Sequence, residues 1–438
     1  MKVPEIEKKI GTDLYVTSTN GIGGTLRQKT NDFIVEEITN RTEGNSGKYL
    51  IIKLKKSNWE THHLIRDLSR KLGISQKRIG FAGTKDKKAV TTQKISIHDL
   101  NPEYLDNIFL KDVEMSVIGR SNKSVELGDL TGNKFKITIR DINLDVGDTY
   151  TRLENIKKDI QKIGGVPNFF GVQRFGSTRP VTHLVGEYLV RGDPEGAALK
   201  YIADAFPDEP DDTASARNYV YETRDYVEGL KRYPLRLRYE RSMMDYLIKN
   251  PDDYTGAFNV LPRNIQRIFV HAYQSYLFNR IVCQRIKEEL SLNQSYEGDI
   301  VCFKNKAGLP DTSRLQEVTS TNINGMNNLI RRRRAFVTAP LIGYQTDFSS
   351  GKPGEIEKKV FEETGLSVSD FKLLTTPELA SKGVRREILL HAVPSFEVDV
   401  DDLNPGKSKA VLDFTLPKGS YATTLLREHM KVNPLKMS

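Results

Sequence analysis

Hydrophobic and polar positions alternate in several stretches near the start of the chain, which predicts strands. Residues 33–38 (FIVEEI) and 48–54 (KYLIIKL) are expected to form neighbouring antiparallel strands. A further strand is predicted within residues 131–142, and its apolar face carries Phe135, Ile137 and Ile139. Its opposite face carries Lys134, Lys136, Thr138 and Arg140, so we expect a core face and a basic face.

Helical periodicity follows and then dominates the middle of the chain. Residues 57–75 predict an amphipathic helix that Ser57 or Asn58 caps and that Gly73 ends. Further helices are expected over 148–163, through most of 196–251, and over 264–290.

The last part of the chain returns to strand patterns, at residues 387–400 and 410–416, before a helix that Ser420 is expected to cap. Strand-rich ends around a helical middle indicate an α+β (mixed α/β) fold with one domain inserted into another. We expect residues 1–165 and 386–438 to form one domain and residues 166–385 to form the insert.

Composition narrows the class of protein. The 438 residues carry a formal net charge of +9, which suits a polyanionic partner such as nucleic acid. The two cysteines, Cys283 and Cys302, exclude a disulfide framework or zinc ribbon, and no apolar run is long enough for a signal peptide or membrane span. No Walker loop, GxGxxG or HExxH motif supports nucleotide or metal chemistry. We therefore expect a cytoplasmic protein that binds no membrane.

One carboxylate stands out in residues 80–96 (GFAGTKDKKAVTTQKIS). Lys85, Lys87 and Lys88 flank Asp86, and nearby positive charges favour the ionised form of a carboxyl group. Since a strand pattern follows Val90, Asp86 is expected at a loop tip carried by a sheet. It is a candidate nucleophile, and a solvated charged hairpin is the alternative.

Three other features have both a functional and a structural interpretation. Phe135 could fill the core or stack on a base. Arg174 and Arg179 lie among phenylalanines and could contact phosphates and bases, or belong to a structural turn. The run of four arginines at residues 331–334 could contact phosphate or simply be solvated.

Five segments taken together resemble the TruD family of tRNA pseudouridine synthases. They read FAGTKDKKAVTTQ (81–93), TGNKF (131–135), NFFGVQRFG (168–176), HAYQSYLFN (271–279) and LPKGSYATTLLRE (416–428). With DFIVEE (32–37), they cover nearly the whole chain in order.

The resemblance implies a catalytic domain with a central, mostly antiparallel sheet, interrupted by a family-specific α/β insert. It implies isomerisation of uridine to pseudouridine at position 13 of tRNA, without a metal or nucleotide cofactor, by a protein that we expect to be a monomer. The implied catalytic aspartate is Asp86, with Asn133 and Phe135 in the active site and a basic residue at Arg27. The residues expected to bind RNA phosphates are Arg27, Lys85, Lys87, Lys88, Arg174 and Arg179.

Three mechanisms remain open for Asp86 at this point: attack at C1′ of the ribose, attack at C6 of uracil, or proton abstraction toward a glycal. A non-catalytic RNA-binding or RNA-folding protein and a glycosylase that releases uracil are the alternative functions.

Overall fold

The computed structural model describes residues 2–437, which form an α+β fold. Its first seven strands are β1 Phe33–Thr39, β2 Tyr49–Ser57, β3 Ile79–Phe81, β4 Val90–His98, β5 Val113–Ser121, β6 Leu130–Ile142 and β7 Val166–Pro167. The others are β8 Ile300–Lys304, β9 Pro310–Glu317, β10 Ala335–Leu341, β11 Val384–Glu387, β12 Leu389–Leu390, β13 Ser395–Val400 and β14 Ser408–Pro417.

The first seven helices are α1 Glu5–Lys9, α2 Thr61–Lys71, α3 Glu103–Asp106, α4 Val146–Ile163, α5 Thr182–Val190, α6 Pro194–Ala203 and α7 Asp211–Thr223. The others are α8 Tyr226–Arg232, α9 Arg238–Lys249, α10 Tyr254–Asn259, α11 Arg263–Lys287, α12 Ile323–Arg331, α13 Gly351–Glu362 and α14 Ala422–Met430. Among the helices of residues 2–437, none has the length and apolar character that crossing a membrane requires.

The larger sheet has the order β13-β14-β6-β1-β4-β2-β5, with β3 also paired to β4. Its strands come from residues 33–142 and 395–417, so the two ends of the chain meet in one sheet. The β1–β4 pair is parallel, and the other pairs are antiparallel. This agrees with the mostly antiparallel sheet that the resemblance implied.

The prediction that the first two strands are neighbours is wrong, because β4 lies between them. Ile34 of β1 pairs with Val90, and Ile52 of β2 pairs with Ile95. The hydrophobic alternation fixes which face of a strand is buried, but it carries no information on which strand lies beside it.

The amphipathic helix α2 begins later than predicted and ends where predicted. Strand β2 continues through Ser57, and Asn58 has a left-handed φ of 58°. Glu60 is the cap, and its carboxylate accepts the backbone N–H groups of His62 and His63. Gly73 has a φ of 65°, the conformation that a glycine after a helix end commonly adopts.

The basic face predicted for β6 is interrupted by Arg140, which is buried. Its guanidinium pairs with Asp32 at 2.8 Å and with Asp401 at 2.7 Å. The arginine therefore ties β6 to the segments before β1 and after β13.

The middle of the chain forms a second sheet, with the order β11-β10-β8-β9, and a helical layer around α11. The segment after α1 packs against this layer: Asn279 donates to the carbonyl of Ile10, and Cys283 donates to that of Gly11. At the other end, β11 spans the predicted boundary between residues 385 and 386. Residues from both sides of the predicted boundaries therefore contact each other directly, and the division into two domains stays a prediction.

Candidate active site

A cavity of about 870 Å³ opens beside the larger sheet, where β1, β6 and the loop between β3 and β4 meet. Segments distant in sequence contribute to its wall, including residues 173–177 and the start of α14. The lining residues with polar or aromatic side chains include Arg27, Phe33, Glu60, Lys85, Asp86, Lys88, Asn133, Phe135, Gln173, Ser420, Tyr421 and Thr423.

Asp86 lies on the loop that joins β3 to β4, as the sequence predicted. The two strands pair antiparallel, with Gly80 opposite Ser96, and residues 82–89 connect them. Ala82 and Ala89 are buried and fix the ends of the loop, and Gly83 turns the backbone with a φ of 130°. The Asp86 side chain lines the cavity and is 49% exposed, so a ligand in the cavity can reach it.

Arg27 is the cation that pairs with Asp86. Its Nη2 lies 3.5 Å from Asp86 Oδ1, and its guanidinium lies 4.0 Å from the centre of the Phe33 ring. The stack on Phe33 holds the guanidinium plane in place, so the positive charge stays beside the carboxylate.

The prediction that three lysines surround the Asp86 carboxylate is wrong for Lys85. That side chain is buried, and its ammonium pairs with Glu37 at 3.1 Å and donates to Asn133 Oδ1 at 2.9 Å. Glu37 and Asn133 are paired residues on β1 and β6, so the sheet itself presents this partner pair. Lys87 and Lys88 are exposed, and of these two only Lys88 is part of the cavity wall.

The bond from Lys85 also fixes the orientation of the Asn133 amide. An ammonium group can only donate, so the atom that faces it must be the amide oxygen. The two N–H donors of Asn133 are then directed elsewhere, on a side chain that lines the cavity.

Phe135 is part of the core, as one of its two interpretations expected, and stacking on a base stays a prediction. It is 7% exposed, stacks on Phe414 at 5.3 Å and meets Phe33 edge-to-face at 6.3 Å, yet it also lines the cavity. The ring is therefore a rigid apolar surface whose remaining accessible part faces the site.

Lys56 was missed by the sequence analysis. It lies on β2 with no exposed surface, and its ammonium donates to the carbonyl oxygens of Trp59 at 2.6 Å and Asp86 at 2.9 Å. The signal was present: Leu50, Ile52 and Leu54 define the inward face of β2, and residue 56 is the next position on that face.

The two arginines near residue 175 lie outside the cavity wall. Arg174 is half-buried and donates to Ser275 Oγ at 3.3 Å. Arg179 donates to the carbonyls of Lys200, Tyr201 and Asp204, and burial lowers its pKa to about 10. Because these bonds use Nε and Nη2 of a side chain that is only 10% exposed, the prediction that Arg179 binds RNA phosphate does not fit its position.

The start of α14 supplies cavity residues that the sequence analysis did not select. Tyr421 occupies the cap position that was predicted for Ser420. The Ser420 hydroxyl is buried without a hydrogen-bond partner, and Thr423 donates to Gln173 Oε1 at 3.0 Å. A pattern of caps and apolar positions gives no reason to place this turn beside a loop more than 300 residues earlier.

Comparison with known proteins identifies the family. The sequence model of a family described as "tRNA pseudouridine synthase D (TruD)" matches residues 9–429. A curated protein of Methanococcoides burtonii, named "Probable tRNA pseudouridine synthase D", is 63% identical over 436 residues, which cover 100% of this chain and 99% of the relative. A protein of the same name from Halobacterium salinarum is 40% identical over 447 residues, with 99% of each chain covered.

A solved structure is also similar over the full length. It is described as "Crystal Structure of the Putative tRNA pseudouridine synthase D (TruD) from Methanosarcina mazei", and it matches with a TM-score of 0.92 and 60% identity. The match covers 100% of both chains. The chain therefore belongs to the tRNA pseudouridine synthase D (TruD) family, whose general activity is the isomerisation of uridine.

Proposed function

We propose that this protein converts uridine at position 13 of tRNA to pseudouridine, with Asp86 as the nucleophile and no metal or nucleotide cofactor. The observation that carries the proposal is the position of the Asp86 carboxylate. It lies in the wall of one cavity with Asn133 and Phe135, and 3.5 Å from Arg27.

The reaction requires little beyond such a carboxylate. The N1–C1′ bond breaks, uracil rotates and the C5–C1′ bond forms. C5 loses a proton and N1 gains one, so the product is an isomer and nothing is oxidised or hydrolysed. An anion near C1′ can capture or stabilise the positive charge that develops there. Attack of Asp86 at C6 would also use the carboxylate as a nucleophile, whereas in proton abstraction the same carboxylate would act as a base.

The cavity also suits a base that has left the RNA stack. A flipped uracil needs an aromatic or apolar surface and a few polar partners for its edge. The Phe135 ring provides the surface, while the Asn133 amide and the unpaired Ser420 hydroxyl provide polar partners.

Cations distributed over the surface support binding of the RNA backbone. Arg27 and Lys88 line the cavity, and Lys87 is exposed on the loop that carries Asp86 and Lys88. Arg174 is half-buried and follows Gln173, which lines the cavity. The arginines at 331–334 are all exposed, and the ion pairs of the described residues include none of them. Arg331 donates to Asn328 Oδ1 at 3.0 Å. Exposed guanidinium groups that form no ion pair can bind phosphate, and their contribution to affinity falls as salt rises.

The same proposal extends to organisation. We infer that residues 166–385 act as an inserted unit that helps to hold the tRNA. We also propose that the protein acts as a monomer in the cytoplasm, with a cavity wall that distant segments of this chain build together.

The test is to incubate the pure protein with an unmodified tRNA transcript, without added metal or nucleotide, and to map pseudouridine at base resolution. The proposal expects one new pseudouridine, at position 13. Binding without conversion would instead support a non-catalytic RNA-binding protein, and release of free uracil would support a glycosylase.

A further inference from the structure

Lys56 binds the backbone of the loop that carries Asp86. Its side chain is completely buried, and its Nζ lies 2.6 Å from the carbonyl of Trp59, 2.9 Å from that of Asp86 and 3.5 Å from that of Lys85. Two of these three carbonyls belong to the loop itself. The loop has a second anchor in Thr61, which is also buried and accepts the Lys85 N–H at 3.0 Å.

We propose that Lys56 is a positioning residue whose protonated ammonium fixes the backbone of Asp86, so that turnover falls at alkaline pH when this ammonium loses its proton. The inference rests on the function proposed above, because it assigns a role in presenting the Asp86 carboxylate to the substrate.

The number of hydrogens explains why the protonated form is required. An ammonium has three N–H donors, which matches the three carbonyl oxygens around it. A neutral amine has two donors and a lone pair, so it can bond at most two of the three carbonyls. The Lys85 carbonyl, the farthest at 3.5 Å, also accepts the Thr61 hydroxyl at 3.3 Å. The bonds to the Trp59 and Asp86 carbonyls would lose the positive charge that makes them strong, so the loop would be held less firmly.

The surroundings place the loss of this proton within an accessible pH range. Burial lowers the pKa of Lys56 from its ordinary value of 10.5 to about 8. The negative charges of Asp86 and Glu60 raise this pKa, and the positive charge of Lys85 lowers it further by a smaller amount. The residues opposite Lys56 on β4 and β5 are Thr91 and Val113, which carry no charge.

Protein stability changes with pH in the opposite direction, which separates the two effects. Between the folded pKa of about 8 and the ordinary 10.5, the unfolded chain binds more protons at this position than the folded chain does. The contribution of Lys56 to stability therefore rises with pH in this window. Loss of turnover above pH 8 through Lys56 would occur without unfolding.

The experiment compares the full-length wild type with Lys56→Met and with the control Lys55→Met. Lys55 is the next residue on β2, but its side chain is 48% exposed and pairs with Glu114 at the surface. Single-turnover rates and KM are measured on an unmodified tRNA transcript from about pH 6.5 to 10, with the fluorescence of Trp59 as a check of folding.

We expect Lys56→Met to lower the maximal rate about 100-fold, the size of effect that a displacement of about 1 Å can cause, with KM changed less than about 3-fold. Lys55→Met should behave as the wild type. The wild-type rate should fall above pH 8, and the residual rate of Lys56→Met should not show this fall.

A wild-type rate in Lys56→Met, or an alkaline fall that persists in this variant, would overturn the proposal. A fall in rate that comes from titration of the uracil imide, for example, would also appear in the variant.

If Lys56→Met does not fold, the proposal is tested by hydrogen exchange of the wild-type amides at residues 83–89. Base catalysis alone raises the rate of amide exchange with pH. An exchange rate at these amides that rises more steeply than this above pH 8 supports the proposal, and a rate that rises only as base catalysis requires overturns it. A wild type that forms no pseudouridine at any pH would refute the proposed function instead, while the exchange measurement would still test Lys56.

Discussion

The buried pair of Lys85 and Glu37 gives a prediction that separates structural support from RNA binding. Lys85→Met removes the ammonium that lies 3.1 Å from Glu37, where the two side chains are only 6% and 1% exposed. Glu37 then keeps a buried charge whose remaining contact is the backbone N–H of Lys94, at 3.1 Å. Breaking one side of a buried ion pair costs about 3 to 5 kcal/mol, so we expect a loss of unfolding free energy in this range.

The double variant Glu37→Gln/Lys85→Met should recover about 1 to 3 kcal/mol of that loss. The neutral amide can still accept the Lys94 N–H, and no unpaired charge remains. If the double variant is more stable than the Lys85→Met single variant, the loss in the single variant comes from the unpaired charge of Glu37.

The assay is urea unfolding followed by the fluorescence of Trp59, the only tryptophan in the chain. Its indole N–H donates to the carbonyl of Lys111 at 2.9 Å and it packs on the core under β2 and β4, so it reports on the part of the fold that contains Lys85. With a denaturant slope of about 3 kcal/mol per molar, the midpoint should fall by about 1 to 1.7 M.

A midpoint shift below about 0.3 M would refute this reasoning. If the same variant also reduced the salt dependence of tRNA binding by one phosphate contact, Lys85 would face the RNA, as the sequence pattern first indicated.

Three further predictions concern the arginines. Arg27→Gln should lower the rate of pseudouridine formation about 10-fold. An opposite charge at 3.5 Å is worth about 1 to 5 kcal/mol, and solvent around the half-exposed Asp86 reduces this energy toward the lower limit. The control is Arg236→Gln, which breaks an exposed pair with Asp212 and should leave the rate unchanged. Replacing Arg331–Arg334 together with glutamine should reduce the slope of log affinity against log salt by about 1 to 3, and an unchanged slope would remove these residues from the RNA surface. Arg179→Met should lower the unfolding free energy by about 3 kcal/mol while tRNA affinity stays within about 2-fold, and weak binding by a stable variant would contradict the structural role.

Sequence patterns predicted much of the local structure but little of the pairing. The strands around Ile34 and Ile52 and the end of α2 at Gly73 follow from periodicity and turn chemistry, which are local properties. The position of β4 between β1 and β2 is non-local, and a pattern of buried faces is compatible with either order.

The same distinction applies to the candidate site. Asp86 could be identified because its glycine turn, its charged neighbours and the following strand are contiguous in sequence. The partner of Lys85 could not, since Glu37 and Asn133 reach it only through the register of β1 and β6. Position along the chain places Lys85 beside Asp86, whereas the fold pairs its side chain with Glu37 and Asn133 on the sheet.

The central claim is that the Asp86 carboxylate carries out the reaction, and Asp86→Asn tests it most directly. The substitution keeps the shape of the side chain and removes its charge, so we expect no detectable pseudouridine at any base of an unmodified tRNA. Affinity for that tRNA should stay within a few fold of the wild type, because the cations that contact phosphate are unchanged. Retained conversion by Asp86→Asn, at a rate near that of the wild type, would contradict the account.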